Sequence, residues 1–194
     1  MADFAERLAR WRACLADLSA KARSAAAEAL ARRRVPLGFL AAVSALVFAQ
    51  PTWTTWRTGI GIAVVGEAIR IWAAGHLEKG REVTRSGPYQ WTGHPLYVGS
   101  SIMALGVAVA CRSAVVAVLI LIYMASTLTA AVRTEEAFLR RTFGDTYVRY
   151  QRSVGEPGTR RFSLARARKN REYRAIAGLV GGFALLALKI VLNL

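Results

Sequence analysis

Apolar residues along the chain gather into five stretches, roughly Val35 to Gln50, Thr58 to Leu77, Pro95 to Ala110, Ser113 to Val132 and Ala175 to Leu192. As helices these would be about 24 to 30 Å long, against a hydrocarbon core of about 30 Å. Five such helices on 194 residues leave no amphipathic partners for a soluble surface. The pattern therefore predicts an all-α, polytopic membrane bundle of one domain over 35–194, with about five transmembrane helices. The two shortest stretches require a thin bilayer, re-entry or interfacial anchoring. The stretches are joined on one side by very short turns, "PTWTTW" and "CRS", and on the other by long polar connections.

Residues 1–34 follow a different pattern. Phe4, Leu8, Trp11, Leu15 and Leu18 recur at spacings of three and four, with Arg7, Arg10 and Arg12 around the rest of the helix. This reads as a basic amphipathic helix on an anionic leaflet, or as a solvated helix leading into the first span. Asp3, Glu6 and Arg7 stand where a cleavable leader would carry a basic stub and an apolar core, so no signal peptide is expected.

The net charge of +15 raises the possibility of a nucleic-acid ligand, and the placement of the cations argues against it. Of 27 Lys and Arg, 23 fall before Val35, between His76 and His94, or between Arg133 and Arg174. With a cytoplasmic N-terminus all 23 lie on the cytoplasmic side, and only Arg57, Arg112 and Lys189 lie near the other face. Positive-inside asymmetry accounts for the charge without nucleic acid. The expected setting is the inner membrane of a prokaryote, with the active site on the cytoplasmic face. The same topology separates Cys14 from Cys111, so no disulfide is expected. With two histidines in all, His76 and His94, no His-rich metal site and no metal are expected.

The candidate chemistry lies in the two long connections. Glu135 and Glu136 follow the fourth stretch beside Arg133; adjacent helical residues point about 100° apart, so the pair cannot share one proton. Either they are boundary charges neutralised by Arg133, Arg140 and Arg141, or one of them faces a cationic ligand. Phe138, Leu139, Phe143, Tyr147 and Tyr150 continue at helical spacing across Gly144-Asp145, predicting two short surface helices. Their aromatic stripe is an interfacial face or a wall for a purine ring. Glu67 and Arg70, three residues apart inside the second stretch, either pair with each other or face a substrate.

"GPYQWTGHPLYVG" (87–99), followed after a helical hairpin by "RTEEAFLRRTFGDTYVRYQRSV" (133–154), resembles the isoprenylcysteine carboxyl methyltransferase family and the related phospholipid methyltransferases. The resemblance covers about half the chain. It implies methyl transfer from S-adenosylmethionine to a lipophilic small-molecule or lipid substrate, with the cofactor held by the parts at about 86–101 and 133–154. The cofactor-binding residues it implies are Tyr89, His94, Pro95, Leu96, Tyr97, Gly99, Glu135, Glu136, Tyr147 and Tyr150. The start of the His94–Gly99 helix would offer free N–H groups to the cofactor's carboxylate, and Gly99 would let the ligand approach the backbone. Glu135, Arg133, Glu67 and Arg70 are the candidates for catalysis. A carboxylate acceptor would want Arg70, Arg85 or Arg133; an amine would want a base such as Glu67, Glu135 or His94.

Two departures bear on the substrate. The family's Arg before His-Pro is Gly93 here, and the chain continues past the two-Tyr segment into "EPGTRRFSLARARKNREYR" and an extra span at about 175–192. The rival readings are an NADPH-dependent membrane sterol or enone reductase, which lacks a Gly-rich phosphate loop here, and a non-enzymatic basic membrane adapter. Nothing in the sequence determines the oligomeric state.

Overall fold

The computed structural model describes residues 38–152 and 158–193, together with Trp11. The expected basic helix over 1–34 and Cys14 lie outside the described residues. Among the described residues every regular element is helical: α1 (Gly38–Phe48), α2 (Trp53–His76), a short 3-10 turn (Gly87–Gln90), α3 (Pro95–Cys111), α4 (Ala114–Gln151), α5 (Leu164–Lys169) and α6 (Tyr173–Val191). Three of these, α2, α4 and α6, are long and apolar enough to cross a membrane; α1 and α3 are shorter apolar helices. By length and composition, three of the five expected spans are thus met among the described residues, with α1 and α3 as shorter apolar helices beside them.

Local chemistry moves several boundaries. Thr52 is extended and forms a capping box with Thr55, so α2 begins at Trp53 and takes up most of the expected outer turn. α3 ends on Arg112 in the left-handed region (φ 48°), and Ser113 then caps α4 by accepting the Val116 N–H at 3.4 Å. α4 runs without a break through the end of the fourth stretch into the Glu135–Tyr150 segment. Of the two surface helices expected, the first is therefore the continuation of a span. The break between them is a kink at Gly144 (φ 45°, ψ −121°).

α2 and α3 are antiparallel and meet backbone to backbone. A Cβ added at Gly66 would lie 2.6 Å from the Gly99 carbonyl oxygen, and one at Gly106 would lie 2.6 Å from the Gly59 carbonyl oxygen. In lipid, where no hydrophobic force presses helices together, such small residues allow the close packing that holds them. Gly66→Ala should therefore lower stability by about 1–3 kcal/mol through overpacking. Thermal unfolding in detergent micelles measures this; an unchanged midpoint would mean that the helices can separate at no cost.

At the opposite end from His94, buried Ala49, Ala63, Ala110, Cys111, Val116, Phe183 and Leu186 form an apolar cluster. α6 is tied to this end by polar contacts to backbone. Trp56 Nε1 donates to the Phe183 carbonyl at 2.9 Å, and Lys189 Nζ reaches the Leu46 and Val47 carbonyls at 2.8 and 3.1 Å, satisfying the last turn of α1.

Nearer the His94 end a buried ionic network joins α2, α3 and the start of α6. Arg70 donates to both oxygens of Glu172 at 2.9 and 3.1 Å and to Ser100 Oγ, and its Nε lies 3.5 Å from Glu67 Oε2. Glu67 and Glu172 are both buried. The expected Glu67–Arg70 pairing is present, but its principal member is Glu172, supplied from 102 residues away by the C-terminal segment.

Candidate functional site

The connection between α2 and α3 folds back under the bundle because Gly87 adopts φ 58° and lies against His76, where a Cβ would meet the imidazole at 2.6 Å. That position admits only glycine, on both conformational and steric grounds. His76 Nδ1 in turn hydrogen-bonds Ser86 Oγ at 3.1 Å. Thr92 Oγ1 accepts the His94 N–H at 3.3 Å, and Pro95 opens α3 at its first position, where its fixed φ suits a helix start.

The segment beyond the Gly144 kink docks on this connection. Tyr150 Oη donates to the Tyr89 carbonyl at 2.8 Å, Arg85 donates to the Thr146 carbonyl at 3.0 Å, and the Arg85 guanidinium lies 5.9 Å from the centre of the Tyr150 ring. Tyr147 is buried, with its ring 6.2 Å from that of Tyr150. Burial above all, and then the nearby Glu135 carboxylate, hold the Tyr89 phenol far above its ordinary pKa, so it stays neutral. Tyr150→Phe would leave the Tyr89 carbonyl short of a donor and should cost about 0.5–1.5 kcal/mol. A melting temperature equal to the parent's would show that the docking does not depend on this bond.

Two carboxylates from α4 converge on His94. Glu136 Oε1 lies 3.4 Å from Nε2, Glu135 Oε2 lies 3.8 Å from Nδ1, and Tyr97 Oη donates to Glu135 Oε2 at 2.8 Å. The imidazole stacks on Tyr97 at 5.6 Å between ring centres, and its Nδ1 is buried with no hydrogen-bond partner. The angular separation of adjacent helical residues explains the arrangement: the carboxylates diverge from each other and reach the two nitrogens of one ring. Among the described residues no ion pair joins either of them to Arg133, Arg140 or Arg141, so the reading of a neutralised boundary pair is replaced by a shared imidazole.

Beside this cluster a groove of about 410 Å³ runs between α3 and α4. Val98, Leu128 and Val132 give it an apolar lining, and His94, Tyr97 and Arg133 line it together with Thr92, Ser101 and Thr129. Its size is that of a small-ligand site.

The structure thus brings together Tyr89, His94, Tyr97, Arg133, Glu135, Glu136, Tyr147 and Tyr150 from two segments some forty residues apart in sequence. Other expected site residues are placed elsewhere. Glu67, Arg70 and Gly99 belong to the α2–α3 contact: a Cβ at Gly99 would meet Arg70 Cγ and the Gly66 carbonyl at 2.6 Å, so the close approach Gly99 permits is between helices. Residues 97, 98 and 101 face the groove from the other side of α3. The α3 N-terminus also offers less than expected. Pro95 has no N–H, Pro95 itself is buried, and the Tyr97 and Val98 N–H groups both bond the His94 carbonyl, which leaves Leu96 as the first-turn donor. The groove residues Leu128, Thr129 and Val132 escaped sequence reasoning. The signal was the helical face that runs through residues 129, 132, 133 and 136, one turn below the carboxylates.

Among the described residues no group of three or more His, Cys, Asp or Glu side chains is arranged to hold a metal ion. Among the described residues the chain is thus an all-helical bundle, with three helices able to cross a membrane and a carboxylate–imidazole–phenol cluster beside an apolar groove, which places it in the class of helical membrane proteins. The model of the phospholipid methyltransferase family matches residues 37–146, more than half the chain, and the protein is a member of that family of membrane methyltransferases. The chain is 30% identical over 113 residues to the cobalt-zinc-cadmium resistance protein CzcN of Cupriavidus metallidurans, covering 52% of this chain and 51% of that protein. It is 31% identical over 100 residues to the nickel-cobalt-cadmium resistance protein NccN of Alcaligenes xylosoxydans xylosoxydans, covering 50% of this chain and 46% of the relative. The chain therefore spans about half the length of the curated relatives it matches. No solved structure matches it.

Proposed function

We propose that the protein is an S-adenosylmethionine-dependent methyltransferase whose acceptor is a lipophilic molecule that enters the α3–α4 groove from the bilayer. The observation that carries this reading is the convergence of Glu135 and Glu136 on His94 beside that groove. Two carboxylates and a buried imidazole nitrogen without a partner suit a ligand that bears positive charge, as S-adenosylmethionine does. Residues 35–194 then act as one methyltransferase domain, with its cofactor-binding parts at about 86–101 and 133–154. The positive-inside distribution of Lys and Arg orients the site toward the cytoplasm, in keeping with a multi-pass protein of a prokaryotic inner membrane.

In this mechanism Glu136 and Glu135 would hold the cofactor's ammonium group, His94 fixes the two carboxylates relative to each other, and Tyr89, Tyr147 and Tyr150 would wall the site. When bound, the cofactor supplies a methyl group on a sulfonium, already a strong electrophile. The protein's remaining task is alignment and exclusion of water. Val98, Leu128 and Val132 would seat the acceptor's apolar chain, with its polar end toward His94, which lines the same groove. An amine acceptor would have to lose a proton before attack, and His94 in the groove lining, or Glu135 beside it, would be the base that takes it.

The loss of the family's Arg at Gly93 favours an amine or another non-ester acceptor over a carboxylate. A Cβ at Gly93 would meet only the Tyr150 hydroxyl, at 4.0 Å, so a larger side chain has room there. Membranes incubated with methyl-labelled S-adenosylmethionine should therefore yield a base-stable, lipid-extractable product. Gly93→Arg should create or raise base-labile methyl esterification of a prenylcysteine analogue. Efficient esterification by the unaltered protein would overturn the acceptor assignment, and calorimetric binding of NADPH in place of S-adenosylmethionine would overturn the reaction class.

A further inference from the structure

The C-terminal segment that follows the family match divides its arginines into two sets. Arg160 bonds Glu82 at 2.8 Å, and Arg166 lies 3.4 Å from Glu78 and donates to the Gly75 carbonyl at 2.8 Å. Asn170 reaches the Ala74 and Leu77 carbonyls at 2.9 and 3.0 Å, completing the C-terminus of α2, while Glu172 is taken by Arg70. These inward contacts fix α5 and the elbow before α6 against the end of a membrane-spanning helix.

The second set faces outward. Arg161, Arg168, Lys169, Arg171 and Arg174 are exposed, and none has a carboxylate partner among the described residues, because Glu78, Glu82 and Glu172 are already engaged by the inward set. Between these cations stand apolar side chains that are also exposed, Leu164 at 70% and Tyr173 at 52%, while the Phe162 ring packs on Gly75 and His76 at the end of α2. Tyr173 is the first residue of α6, so the patch adjoins the start of a helix long and apolar enough to cross a membrane. Arg171 adds an independent sign. It occupies the left-handed region (φ 64°) just after α5, where the Glu172 N–H folds back to the Ala167 carbonyl at 3.3 Å. Glycine takes that conformation without a steric cost and is the usual residue at such helix ends, yet here an unpaired cation stands there.

From this arrangement we infer that the α5–α6 elbow is a binding surface for anionic phospholipid head groups, its five outward cations meeting phosphodiesters while Leu164 and Tyr173 enter the acyl boundary. Cations without acidic partners, interleaved with exposed apolar groups at the mouth of a membrane helix, match the layered chemistry of a lipid leaflet. A nucleic acid would satisfy the charges but leave the aliphatic and aromatic side chains in water. The surface is separate from the His94 groove, and the inference does not depend on methyl transfer.

The test is native mass spectrometry of the full chain, purified in detergent and titrated with phosphatidylglycerol or with phosphatidylcholine of the same acyl chains. The unaltered protein should bind phosphatidylglycerol at least about tenfold more tightly, since each cation near an anionic surface contributes about fivefold. Replacing Arg161, Arg168, Lys169, Arg171 and Arg174 together by Gln should lower phosphatidylglycerol affinity at least about tenfold and leave phosphatidylcholine affinity unchanged. Arg171→Gly guards against a folding artefact, because it relieves the backbone: it should weaken phosphatidylglycerol binding about fivefold without lowering the melting temperature. Equal binding of the two lipids by the unaltered protein would overturn the inference. So would a full preference retained by the five-site variant, no weakening in Arg171→Gly, or displacement of phosphatidylglycerol by an equal concentration of duplex DNA. None of these readings requires a cofactor or a methyl acceptor, so failure here leaves the proposed reaction untouched, and the reverse holds.

Discussion

Arg70→Met should destabilise the folded protein by about 3–5 kcal/mol, the cost of leaving buried charges without their partner. Arg70 is the cation that both Glu67 and Glu172 face, and both Glu67 oxygens are buried without a hydrogen bond. Removing the guanidinium strands two carboxylates inside the bundle. Glu172→Gln, which leaves Arg70 with Glu67, should cost less. Replacing all three together, as Glu67→Gln, Arg70→Met and Glu172→Leu, should recover most of the loss, because the pair's attraction is largely offset by desolvation. Thermal unfolding in detergent micelles reads each variant. If Arg70→Met melts where the parent does, the network is no more than a surface feature.

Glu136→Gln should lower affinity for S-adenosylmethionine about 10-fold to 150-fold, the equivalent of a charge-assisted contact worth about 1.5–3 kcal/mol. Glu135→Gln should cost less, since Glu135 already accepts from Tyr97 and is partly committed to holding the site together. Calorimetric titration of the two variants separates these roles. Unchanged binding in both would leave the carboxylates as partners of His94 alone. Stability should fall little in either case, because both side chains are partly exposed, at 40% and 32%.

The comparison of Glu67 and Glu136 shows what a linear reading misses. Each was an unusual carboxylate in or beside an apolar stretch, and each had a cation nearby in sequence. Glu136 faces His94, which lines the groove, whereas Glu67 faces the α2–α3 contact. Which side of a helix meets a ligand and which meets a neighbouring helix depends on the neighbour. The glycines that place α3 against α2 are visible in the sequence, but their partners are not.

Much of the architecture was nonetheless legible in one dimension. In a bilayer the backbone must satisfy its own hydrogen bonds, so an apolar run long enough to span is helical whatever surrounds it. That constraint made the helical class, the approximate bounds of α6 and the polar end of the molecule readable from hydropathy and charge. The position of Gly144 marked a break, because glycine interrupts a helix at little steric cost, and the break is where α4 kinks. Tertiary structure alone decided the rest. It made the carboxylates of Glu135 and Glu136 share one imidazole, gave Gly99 to α2, continued the fourth stretch into the site and joined Glu172 to Arg70 across 102 residues. Each of these depends on contacts between segments distant in the chain, and such contacts are set by how helices pack rather than by the periodicity of any one of them.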